Sequence, residues 1–194
     1  SVEEVIAYDS SKDERHGIYR DIRTVSSKGE KMKISDINVV DEKGNSYIFT
    51  ITKTGENVRI KIGDPATTFS GEKIYYISYR ASNAVASLSD IDEIYWNVTG
   101  NEWNMPINKV IATIILPDGT ISTKNACYFG VSGSTNICQY GAMVTDVKHV
   151  FQAPYILQAR EGLTVAVGFP KGVVTPYQES FFEQYADIIG AIVL

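Results

Sequence analysis

Two short segments concentrate the side chains suited to chemistry. His16-Gly17-Ile18-Tyr19-Arg20-Asp21-Ile22 sets an imidazole, a phenol and a guanidinium within five residues. Ile94 to Trp103 (IYWNVTGNEW) interleaves Tyr95, Trp96 and Trp103 with Asn97, Asn101 and Glu102. Aromatic faces beside amides and charges make either recognition surfaces or hydrogen-bonded structural corners. Arg20 has a planar donor fork that matches carboxylates or stacks on aromatic rings, and the tryptophans offer large rigid faces. The candidate ligand-binding set is therefore His16, Tyr19, Arg20, Trp96, Asn97 and Trp103, on the expectation that the two segments meet in space. A sugar, a peptide strand or a lipid headgroup suits such a set. The rival account is internal: Arg20 pairs with Asp21 or Glu93 and locks two strands, while the tryptophans fill the core.

Other chemistry is thin. His16 and His149 are the two histidines, and Cys127 and Cys138 the two cysteines, so no Cys/His cluster has zinc spacing. Gly130-Val131-Ser132-Gly133-Ser134 imitates a nucleophile elbow but puts Ser134 where the second glycine belongs. Asp90, Asp92 and Glu93 precede Tyr95; without the glycine and closing glutamate of a calcium loop they read as a polar strand entry. With Glu102 they are also the carboxylates a glycoside hydrolase would use, but spacing in sequence sets no separation in space. Asn97-Val98-Thr99 matches a three-residue glycosylation sequon. There is no phosphate-cradling glycine motif, and the expectation is no catalytic residue, no metal and no cofactor.

Cys127 and Cys138 flank a Gly/Ser/Asn-rich segment, YFGVSGSTNI, that turns back easily. A local pair in a β-rich chain fits one disulfide in an oxidising compartment.

The elements that must carry these residues are strands. In 194 residues, 44% hydrophobic, the chain can bury a substantial core. Strand patterns cover Val2 to Tyr8, Gly17 to Val25, Lys31 to Val40 (with a slip that a bulge explains), the runs around the turn Thr54-Gly55-Glu56-Asn57, Lys73 to Ala81, Ile91 to Val98 and Lys109 to Leu116. Cys127 to Val131, Ala142 to Val150 and Leu163 to Phe169 complete the set. Turn signals recur at about the eight-to-twelve-residue spacing of a sandwich. The expected fold is all-β, an antiparallel β-sandwich or two packed β-lobes over residues 1–175, with a lobe boundary near 63–71. Residues 176–194 place Phe181, Phe182, Tyr185, Ile188, Ile189 and Ile192 at helical spacing after Pro176, which predicts a short C-terminal helix. The terminal run DIIGAIVL points to a truncated piece of a longer chain or to docking of that helix.

The formal net charge of −5 argues against a dedicated nucleic-acid binder. Seven of 18 Lys and Arg residues lie between Lys12 and Lys33, but acids are interleaved among them, as on a solvated surface. No signal peptide opens the chain, and no stretch has the roughly 18 apolar residues of a membrane-spanning helix.

Four blocks make the reading more specific: HGIYRDI at 16–22, YRASNAV at 79–85, DEIYWNVTGNEWNMPI at 92–107 and EGLTVAVGFPKG at 161–172. In this order they resemble the domain-of-unknown-function 2207 family, YciQ-like predicted membrane proteins. The resemblance implies an extracytoplasmic N-terminal domain of a cell-membrane protein, joined to the membrane through segments outside this chain. It implies no activity and does not account for the cysteine pair. The function expected is a binding or interaction module, with an envelope protein or glycan as ligand. The alternatives are a carbohydrate-active envelope hydrolase and a structural spacer.

Overall fold

The computed structural model describes residues 1–26, 28–138, 141–143 and 145–175, and 141–143 in backbone only. Within them the alternating pattern becomes four antiparallel sheets and no helix. The first sheet has the order β1 (Val2–Asp9), β6 (Glu72–Ser82), β3 (Lys33–Val40), and the second β2 (Gly17–Arg23), β5 (Asn57–Gly63), β4 (Phe49–Thr54). The third has five strands: β11 (Asn136–Ile137), β10 (Lys124–Gly130), β14 (Gly162–Pro170), β8 (Ile91–Asn97) and β7 (Val85–Ser87). The fourth runs β12 (Gly141–Met143), β13 (Lys148–Gln152), β9 (Ile111–Ile115).

Period-2 alternation decides which side chains each sheet buries. In β5, Ile60 and Ile62 are buried while Lys61 faces solvent. In β6, Tyr75, Ile77 and Tyr79 form the inner row. β14 is buried along almost its whole length, as suits the middle strand of five. Its inner row is Leu163, Val165, Val167 and Phe169, and its outer row is small: Gly162, Thr164, Ala166 and Gly168. Inner residues of all four sheets join one hydrophobic core.

Local chemistry sets the connections. β4 and β5 close on Gly55 and Glu56, with Thr54 opposite Asn57. The slip expected in β3 is a bulge between Ser35 and Asn38, where Asp36 adopts a left-handed backbone (φ 54°). Gly17 pairs with Gly63, and a Cβ on Gly17 would run into the Ile62 carbonyl oxygen.

Residues 64–71 lead from β5 in the second sheet to β6 in the first, where β6 pairs with β1 and β3. One expectation is corrected. Ala142 to Val150 is not one strand but the hairpin β12–β13, reversed where the Thr145 hydroxyl and carbonyl both accept from Lys148 N–H. The helix expected in 176–194 lies outside the described residues.

Candidate functional site

The two singled-out segments do meet, and Arg20 joins them. β1 presents Val2, Glu4, Ile6 and Tyr8 inward, and β2 presents Ile18, Arg20 and Ile22. Each apolar row is thus broken by one charge, and the two charges find each other. Arg20 Nε donates to Glu4 Oε2 at 2.7 Å and Nη2 to Oε1 at 2.8 Å. The rest of the fork is spent on main-chain carbonyls: Val98 at 2.9 Å, Thr99 at 3.1 Å, and Asp21. Tyr79 Oη donates to Glu4 Oε1 at 2.6 Å. The Arg20 side chain is 2% exposed. Burial alone would lower its pKa; the Glu4 carboxylate outweighs burial, and the pKa is raised.

The loop after β8 is shaped around this lock. Gly100 has φ +73°, and a Cβ there would press on Arg20 Nη1 and the Asp21 carbonyl at 3.1 Å each. Trp103 Nε1 donates to the Thr99 carbonyl at 2.9 Å, and Leu163 N–H donates to the Thr99 hydroxyl at 2.9 Å. Asn97 and Asn101 hold the loop from within: Asn97 Nδ2 donates to Asn101 Oδ1, and Gly100 N–H donates to Asn97 Oδ1. Asn101 Nδ2 reaches the carbonyls of Gly130 and Arg160.

The six expected residues therefore do not make one site. Arg20 is enclosed, its partner is Glu4 in place of Asp21 or Glu93, and Asp21 instead binds Arg59 at 2.7 and 2.8 Å. Trp103 is half-buried against the same loop. Tyr19 alternates with Arg20 and so lies on the opposite face of its sheet, exposed, with the Arg59 guanidinium 5.1 Å from its ring centre. His16 Nδ1 lies 2.9 Å from the Thr67 carbonyl oxygen. His16 and Tyr19 border a small depression of about 230 Å³ with Lys61 and Pro65. Trp96 and Asn97 border a different and larger cleft.

That cleft, about 400 Å³, lies over the outer face of the five-stranded sheet. Asn97 of β8, Thr164 of β14 and Tyr128 of β10 are cross-strand neighbours on that face, and Tyr95 belongs to the next row. The Tyr95 and Tyr128 ring centres are 6.4 Å apart at 39°. One wall is the β2–β3 connection with Arg23, Val25 and Ser26; the other is the loop 131–135. The second wall is tied down. Cys127 and Cys138 form a disulfide across its base, with Cα atoms 5.2 Å apart, and Ser134 Oγ donates to the Phe129 carbonyl at 2.8 Å. Arg23 pairs with Glu56 at 2.9 Å. Burial raises the Tyr95 pKa, with the Tyr128 ring and Glu93 adding and Arg23 opposing.

Sequence reasoning had not singled out Tyr128, Thr164 or Arg23, nor Glu4. The signal for Tyr95 and Tyr128 was present: each adjoins an inward residue, Trp96 and Cys127, and so must face outward. The carboxylates considered for hydrolysis lie elsewhere, Asp92 against Lys171 (3.4 Å) and Glu102 against Arg160 (2.8 Å). Among the described residues no group of three His, Cys, Asp or Glu is placed to hold a metal, and no helix is long and apolar enough to cross a membrane.

No curated protein and no solved structure matches the chain. A family model described as "Predicted membrane protein (DUF2207) N-terminal domain" matches residues 1–169, which carry the Glu4–Arg20 lock, the loop it holds and both walls of the cleft. The chain belongs to that family of predicted membrane proteins.

Proposed function

We propose that this chain is the ligand-binding module of a membrane-anchored protein, held on the extracytoplasmic side and acting through the cleft on its five-stranded sheet. The observation that carries the reading is that cleft: two tyrosine rings and a set of hydroxyls between two walls, on a face whose backbone is already paired. A concavity of a few hundred cubic ångströms with convergent polar groups is the usual form of a small-ligand site. The Cys127–Cys138 disulfide suits an oxidising compartment, and membership in a family of predicted membrane proteins supports the anchoring. The shared core supports packing of the four sheets as a two-lobed β-sandwich. The hydrolase alternative lacks such support, since no carboxylate borders either concavity described above.

Two measurements test the proposal. Lys43→Cys, in an exposed turn of the membrane-bound protein, should react with a membrane-impermeant maleimide on intact cells; reaction only after lysis overturns the extracytoplasmic placement. Thr164→Trp fills the cleft. Small-molecule and oligosaccharide ligands that raise the melting temperature of the wild type should fail to raise that of Thr164→Trp, and ligands that shift both alike overturn the cleft as the site.

A further inference from the structure

We infer that the cleft takes an uncharged oligosaccharide, seated on the Tyr95 and Tyr128 rings. The inference rests on the binding reading above and names its ligand class. Three features of the cleft decide among ligand chemistries.

The first is which polar groups are free. The amides of Asn97 and Asn101 are engaged in holding the loop, and Ser134 is engaged with Phe129. The hydroxyls of Tyr95, Tyr128, Thr164, Ser132 and Thr135 have no hydrogen-bond partner among the described residues. A hydroxyl both donates and accepts, so this set matches another set of hydroxyls better than it matches a fixed donor or a fixed charge.

The second is the floor. Tyr95 (38% exposed) and Tyr128 stand 6.4 Å apart, two adjoining aromatic platforms. Beside them the lining residues of the sheet are small: Thr164, Gly162 and Gly130. Rigid amphipathic rings around a small-residue trough suit a ligand that is apolar on its C–H faces and polar at its rim, the surface pattern of a pyranose ring.

The third is what the cleft lacks. Its lining carries one cation, Arg23, already paired with Glu56, and no acid. A phosphate-bearing headgroup calls for a cluster of cations or main-chain donors. A cationic ligand calls for carboxylates. A peptide added as a strand calls for an open sheet edge, whereas β10 and β14 are paired on both sides here. The sugar is the ligand class that requires nothing this lining fails to offer.

The experiment is titration of the 194-residue chain with cellotetraose and chitotetraose, read by aromatic fluorescence and by backbone amide NMR shifts, beside a tetrapeptide and glycerol phosphate. A tetrasaccharide should shift amides at Tyr95, Asn97, Tyr128 and 132–135. Tyr128→Ala should weaken binding at least tenfold, and Tyr128→Phe, which keeps the ring, by no more than about threefold. Tyr95→Ala supplies the same test if Tyr128→Ala alters the melting temperature. Equal losses in the Phe and Ala variants overturn ring stacking. Binding of the peptide or the phosphate at these amides, without binding of sugar, overturns the saccharide assignment and leaves the cleft as the site. Silence of these amides toward all four ligands overturns both.

Discussion

Glu4 and Arg20 face each other across the interior in a two-point ion pair, 2.7 and 2.8 Å, each projecting from an otherwise apolar row. Removing one partner of a buried pair strands the other charge, which typically costs about 3–5 kcal/mol. Arg20→Ala and Glu4→Gln should each lower stability by about that much in urea melts. Arg20→Lys should rescue little, because one ammonium cannot span two carboxylate oxygens and the carbonyls of Val98 and Thr99. The double variant Glu4→Leu/Arg20→Met should lose less than the sum of the losses of Glu4→Leu and Arg20→Met made singly. Full additivity in this cycle would show that the two residues act independently.

Tyr75 is buried, its hydroxyl has no partner among the described residues, and burial raises its pKa, with Tyr47 and Tyr8 adding. Tyr79 is raised by burial and by the Glu4 carboxylate, with Arg20 opposing. The unfolded chain ionises these phenols near 10.0. Above that pH the folded state keeps protons the unfolded state has lost, so stability falls as pH rises. Melting temperature should therefore be level between about pH 7 and 9 with respect to these two groups and decline beyond 10. Tyr75→Phe should be neutral or mildly stabilising at pH 7 and should lessen the alkaline decline. An unchanged slope would remove Tyr75 as its source.

The Cys127–Cys138 bond closes a short loop, the pair being 11 residues apart. In the chain-entropy model it should contribute about 2–3 kcal/mol. Alkylation of the unreduced protein should label no thiol, and the Cys127→Ser/Cys138→Ser variant should melt lower by a matching amount. Because the bond anchors the wall at 131–135, reduction should also weaken any ligand held in the cleft. Two thiols labelled without reductant would contradict the pairing.

Gly17→Ala should be among the most damaging single changes, since its Cβ would meet main chain, which cannot rotate away. A loss of at least about 2 kcal/mol is expected, within the range for overpacking. Gly119→Ala serves as comparison: it has a positive φ (+77°), which Gly17 lacks, but nothing within 4 Å, and should lose less. Equal losses would show that the close approach at Gly17 costs no more than the left-handed backbone does at Gly119.

Composition and alternation alone determine a good deal here. Rows such as Val58, Ile60 and Ile62 must put one face inward, which makes the chain all-β. Turn chemistry at Gly55-Glu56 makes a hairpin, and the slip in β3 does signal a bulge. The same period also marks Glu4 and Arg20 as charges in apolar rows, a signal in plain view once both rows are written out. Sheet membership was not determined this way. Residues 63–71 have the composition of a boundary, and β6 beyond them pairs with β1, a partner chosen by long-range registry that no local pattern encodes. The candidate site divided for a related reason. Tyr19 and Arg20 are neighbours in sequence but sit on opposite faces of a pleated strand, and Tyr95 and Tyr128 are 33 residues apart but share one face of a sheet. Which faces look inward follows from sequence; which outward faces become a cleft depends on the walls raised beside them, and those are placed by tertiary contacts such as the Arg20 lock and the disulfide.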